Sequence, residues 1–96
     1  MNSKTMYLVS FHKNNMYDDP FVTSFGLIDN AETAVNAVVT ASEGKLSRDS
    51  LLAVTEYEIN AIYPKSRAWF YPDGRFMRLS GNPSKRFKQA IDNANK

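Results

Sequence analysis

Ser66–Lys88 reads SRAWFYPDGRFMRLSGNPSKRFK, and the fold turns on how this stretch is parsed. It holds the only Trp, the aromatics Phe70, Tyr71, Phe76 and Phe87, and six of the twelve basic residues. Arg67 to Tyr71 is extended in character, because Trp69, Phe70 and Tyr71 are strand formers. Pro72-Asp73-Gly74 is a turn: Pro presets φ, Asp bonds its own downstream backbone, and Gly accepts positive φ. Arg75 to Ser80 returns as a second strand, with Met77 and Leu79 on one face and Phe76 and Arg78 on the other. The pair reads as a hairpin. Gly81-Asn82-Pro83 then starts a helix, with Asn82 as N-cap and Pro83 at the first helical position.

In that helix Phe87, Ala90, Ile91 and Ala94 fall at i, i+3, i+4 and i+7 and form one apolar stripe. Arg86 and Lys88 sit about 100° round the helix from Phe87 and are expected in solvent. Lys85, Arg86 and Lys88 occupy the first turns, where the helix dipole favours anions. Two readings stay open: a site for an acidic partner, or a solubilising surface.

Towards the N-terminus, Thr5 to Lys13 is a strand with Tyr7, Val9 and Phe11 on one face and Met6, Leu8, Ser10 and His12 on the other. Apolar residues on both faces give it a central position in the sheet. Residues 14–20 form a loop, and Phe21 to Ile28 pairs back as an antiparallel strand. Asp29 is expected to cap a helix, with Glu32 completing a capping box. Ala31, Ala34, Val35, Val38 and Ala41 or Ser42 give that helix a narrow stripe of small side chains, and Gly44 ends it. After a polar connection over 45–50, Leu51 to Ile62 reads as a strand closed by Pro64. Tyr57, Ile59, Ala61 and Tyr63 face one way, and Val54, Glu56, Glu58 and Asn60 the other.

The expected fold is therefore α+β, in the order β-β-α-β-β-β-α. One domain spans 1–96, an antiparallel sheet of four to five strands with a helix on one face and a C-terminal helix over the same face or an edge. A 43% hydrophobic and 23% charged composition suits a globular chain, so disorder is not expected. With no Cys, disulfides, thiolate metal sites and cysteine nucleophiles are excluded. No apolar run reaches membrane-spanning length, and Met1 to Thr5 leads straight into a strand, so no membrane association and a cytoplasmic location are expected.

The net charge of +2 is unevenly placed. Residues 1–64 carry four basic and eight acidic residues, a net −4; residues 65–96 carry eight and two, a net +6. That polarity points to an anionic partner for the C-terminal third, and it also allows two copies to associate as a homodimer.

Catalytic chemistry has few candidates. His12 is the only histidine, with Asp18 and Asp19 nearby in sequence to orient it or to share a metal, but no nucleophile has a recognisable neighbourhood. Glu56 and Glu58 lie two apart on one strand face; strand alternation reads them as a solvated face, pairing with Arg75 or Arg78 across the sheet. No phosphate-binding loop, dinucleotide fingerprint or zinc spacing is present, so no enzyme activity, cofactor or metal is expected. Arg67, Trp69, Tyr71, Arg75, Arg78, Lys85, Arg86 and Lys88 remain as the candidate partner-binding residues. Cations with flat rings suit nucleic acid, and Trp, Tyr and Arg equally suit a protein interface.

From Met6 to Ile62 the layout resembles small bacteriophage proteins in which a strand pair precedes a capped, Ala-rich helix (here DNAETAVNAV, 29–38) and an acidic alternating strand (here TEYEI, 55–59). Phage-encoded inhibitors of host RNA polymerase or of CRISPR machinery are similar in plan. The resemblance implies a small non-enzymatic protein that docks on and inhibits a host protein or protein–nucleic-acid machine. It carries no residue-level correspondence. The alternative is a direct nucleic-acid-binding protein using the basic, aromatic C-terminal third.

Overall fold

The computed structural model describes residues 5–13, 21–42, 50–58 and 61–95. The chain is α+β, with an antiparallel sheet and two helices: β1 (Thr5–Lys13), β2 (Phe21–Ile28), α1 (Ala31–Ser42), β3 (Ser50–Glu58), β4 (Ser66–Phe70), β5 (Phe76–Gly81) and α2 (Lys85–Ala94). The strands lie in the order β2-β1-β3-β4-β5, so β1 is indeed interior. Since β2 and β3 both run antiparallel to β1, they run parallel to each other and need a crossover, which α1 supplies.

Both helices lie on one face. Beneath them the strands present three cross-strand rows: Phe11–Leu52–Phe70–Phe76, Val9–Val54–Ala68–Leu79, and Tyr7–Glu56–Ser66–Gly81. Onto the first two rows α1 sets Ala31, Ala34, Val35 and Val38, and α2 sets Phe87, Ala90 and Ile91; all seven are buried, as both stripes predict. Phe87 meets the Tyr7 ring at 5.3 Å.

Four expectations about the bounds, caps and register of the elements need correction. The first helix is capped by Asn30 and not Asp29: Asn30 Oδ1 accepts from the Thr33 N–H at 2.9 Å, and its carbonyl takes the first helical bond, from Ala34. In β5 the residues opposite β4 slip by one, leaving Met77 as an extra residue between Phe76 and Arg78. This bulge turns Phe76 onto the same face as Leu79, where it meets Phe70 edge-on at 5.9 Å. The third strand is described over Ser50–Glu58 and does not reach Ala61 or Ile62; Ile62 and Tyr63 stand exposed in a bend. Ile59 and Asn60 lie outside the described residues, as do Asp18, Asp19 and Gly44.

The last correction is the start of α2. Its N-cap is Ser84, whose Oγ accepts from the Phe87 N–H at 3.2 Å. Asn82 is instead held by the sheet, donating its N–H to the Lys65 carbonyl at 2.9 Å. Gly81 allows this: its φ is +84°, and an added Cβ would stand 2.6 Å from the Lys65 carbonyl oxygen. The Pro72–Gly74 turn forms as read, with the Gly74 N–H donating to the Tyr71 carbonyl at 2.8 Å and Gly74 at φ +92°.

Docking of α2 is therefore anchored by Phe87. Truncation of Phe87 to Ala is expected to cost about 3–5 kcal/mol. Replacing the exposed Arg86 and Lys88 by Ala should cost less than about 0.5 kcal/mol each. Thermal or urea unfolding of the three variants checks both values, and an unchanged melting temperature for Phe87→Ala would show that α2 is not docked.

Candidate interaction face and a buried carboxylate

Of the two glutamates expected in solvent, Glu56 is fully buried. It lies in the row Tyr7–Glu56–Ser66, with the start of α2 directly over it. Its Oε1 accepts from Ser66 Oγ at 2.9 Å and from the Ser84 N–H at 3.0 Å. Its Oε2 accepts from the Tyr7 hydroxyl at 2.9 Å and from Ser84 Oγ at 2.5 Å. Burial alone would push this carboxyl up; the donors from Ser84, Tyr7 and Ser66 outweigh it and hold the pKa below the usual value. Tyr7 responds in the opposite sense: burial first, offset in part by its bond with Ser84, and then Glu56 push its hydroxyl up to about 12.

This arrangement binds a helix rather than a ligand. Every oxygen lone-pair direction that matters is taken by the protein itself. It also explains the charge of α2. The first turn contains no acid, and the anion that the dipole favours is supplied from β3. Glu58, two residues on, pairs with neither Arg75 nor Arg78; it meets Lys65 Nζ at 2.8 Å, and this bond lifts the Lys65 pKa.

The other face of the sheet carries no helix among the described residues. Its rows are Leu8–Thr55–Arg67–Ser80 and Ser10–Ala53–Trp69–Arg78, flanked by His12 beside Leu51 and Met6 beside Tyr57. Ser10, Ala53 and Thr55 on this face are nonetheless buried. Trp69 sits at the centre. The Arg67 guanidinium is 5.6 Å from the centre of its indole, and the His12 ring meets it at 4.8 Å, tilted by 60°. Arg67 Nε also donates to Thr55 Oγ1 at 2.8 Å. His12 shares a 2.8 Å hydrogen bond with Ser10 Oγ; burial and then the Arg67 cation lower its pKa, which keeps the ring neutral near pH 7. At the β5 side of this face a groove of about 360 Å³ is lined by Pro64, Lys65, Arg67, Trp69, Arg78 and Ser80, among others.

The candidate residues thus separate into three places. Arg67, Trp69 and Arg78 come together on the face that carries no helix among the described residues. Tyr71 and Arg75 stand at the hairpin tip, where the Arg75 guanidinium is 5.2 Å from the Tyr71 ring centre and its Nε is 2.7 Å from Asp73 Oδ2. Lys85, Arg86 and Lys88 lie exposed on α2, across the sheet from Trp69. Ile62 and Tyr63, which were placed in a strand by their sequence, are 87% and 78% exposed beside the groove-lining Pro64. The proline immediately after them was the available sign of a turn. No helix among the described residues is long and apolar enough to cross a membrane.

No protein-family model, curated protein or solved structure matches this chain.

The Glu56 cluster gives stability a defined pH dependence. Its folded pKa is depressed, so its contribution is fully present above the unfolded carboxyl pKa and is lost as pH falls through the folded value. Glu56→Gln is expected to lose about 1.5–3 kcal/mol at pH 7, the range for hydrogen bonds to a charged group. Its stability should also fall less steeply than wild type below about pH 4.3. Melting curves from pH 7 to pH 2 test this, and parallel curves would show that Glu56 is not ionised in the fold.

Proposed function

We propose that the protein is a non-enzymatic binding module that docks on a protein partner through the uncovered sheet face and the adjoining β3–β4 turn. In this reading it acts in the cytoplasm, in the manner of the phage-type inhibitors whose layout it resembles, by occupying a surface of a host machine. The observation that carries the reading is the placement of Ile62 and Tyr63, two large side chains almost wholly exposed, beside a groove containing Trp69 and Arg78. Apolar anchors with Trp, Tyr and Arg are the composition of protein interface hot spots. Their exposure next to the groove-lining Pro64 supports an interaction site there.

Direct nucleic-acid binding is supported by the Arg67 guanidinium over Trp69, since an aromatic ring on an open sheet flanked by cations is a base-stacking platform. Against it, six basic candidates are divided among two layers and a hairpin tip, and only Arg67 and Arg78 share the open face with Trp69. Phosphate tracking needs a continuous cationic path. Protein docking is therefore the stronger reading.

Affinity capture from bacterial lysate followed by cross-linking is the test. Ile62→Asp and Tyr63→Asp should each reduce recovery of the partner at least tenfold while leaving the melting temperature within a few degrees. The α2 pair Arg86→Ala and Lys88→Ala should leave recovery unchanged. Loss of capture by the α2 pair but not by the turn variants would place the interface on the helix layer instead.

A further inference from the structure

We infer that the groove at the β5 side of the open face receives an acidic side chain of the protein partner, held by Arg78 and Arg67 beside the Trp69 ring. The inference rests on the protein-docking reading and names the chemistry of the partner. Among the described residues, three basic ones, Lys65, Arg67 and Arg78, line the groove, and no acidic one does. Their commitments differ. Lys65 is neutralised by Glu58 at 2.8 Å. Arg67 uses Nε on Thr55 and leaves its terminal guanidinium nitrogens over the indole. Arg78 lies directly opposite Trp69, is exposed, and carries no ion pair among the described residues.

The lining therefore holds two guanidinium groups around one aromatic wall with a deficit of negative charge. A guanidinium presents paired N–H donors that match a carboxylate in a two-point contact. Pro64 in the lining directly follows the exposed Ile62 and Tyr63 in the chain. An acidic residue flanked by apolar ones fits both features. A nucleic-acid backbone fits only the first, because among the described residues the only further cation lining the groove is Lys65, which Glu58 already holds.

Trp69 is the only tryptophan, so its indole N–H resonance reports on the groove without labelling of a single site. The probes are a blocked hexapeptide of alternating Leu and Glu, its Leu–Lys counterpart, and a ten-residue oligothymidylate, each titrated into the purified protein. The Leu–Glu peptide is expected to shift the Trp69 indole resonance saturably, and the Leu–Lys peptide to leave it in place. Arg78→Glu should weaken the acidic peptide at least tenfold, with Arg78→Lys between the two; melting curves confirm that each variant is folded. No shift with the acidic peptide, or a shift that survives Arg78→Glu, overturns the inference. Tighter binding of the oligothymidylate than of the peptide overturns it in favour of nucleic acid. These titrations need no captured partner: lysate capture that depends on Ile62 but not on Arg78 would remove the carboxylate site and leave the docking reading standing.

Discussion

One buried carboxylate ties the layers of this protein together. Glu56 stands in the interior of the sheet and takes hydrogen bonds from Tyr7 on β1, Ser66 on β4, and both the backbone and side chain of Ser84 at the head of α2. An unpaired charge in that position would be severely destabilising. Four donors and the positive end of a helix dipole make it tolerable, and in doing so they dictate geometry. Ser84 must sit over β3, so α2 must start there. Phe87, one turn on, is thereby delivered to Tyr7 and the apolar rows beneath.

Both helices lie on one face of the sheet, and among the described residues the other face carries none. Ala53 is buried opposite Trp69, and the His12 ring meets the indole from β1. Contacts that span several strands order this surface. Ile62 and Tyr63 stand exposed in the turn that leads to the groove-lining Pro64.

The hairpin shows how local rules and packing share control. Pro72-Asp73-Gly74 sets the reversal, and the turn bond between Gly74 and Tyr71 forms as local chemistry demands. Strict alternation after it would put Phe76 on the open face with Arg78. The bulge at Met77 returns Phe76 to the core, where Phe70 receives it. A one-residue slip is invisible to a period-two pattern, and the gain from burying a phenyl ring decides it.

What the sequence determined by itself was everything governed by neighbours a few residues apart. The strand order along the chain, the stripes Ala31–Ala34–Val35–Val38 and Phe87–Ala90–Ile91, and the turn at Gly74 all follow from helix and strand periodicity and from backbone preferences. The prominence of Trp69, Arg67 and Arg78 was also legible, from residue type alone. The tertiary structure decided what depends on distant partners. Glu56 alternates with Tyr57 as a surface residue would, and only donors 49, 10 and 28 positions away make it an interior one. The same long-range bonds chose Ser84 over Asn82 as the cap of α2. They also fixed α2 against the covered face, and so parted Lys85, Arg86 and Lys88 from the tryptophan with which the linear sequence had grouped them. Charge clustering along a chain carries no sign of which side of a sheet each segment will occupy; that is set by which face the apolar stripe must bury.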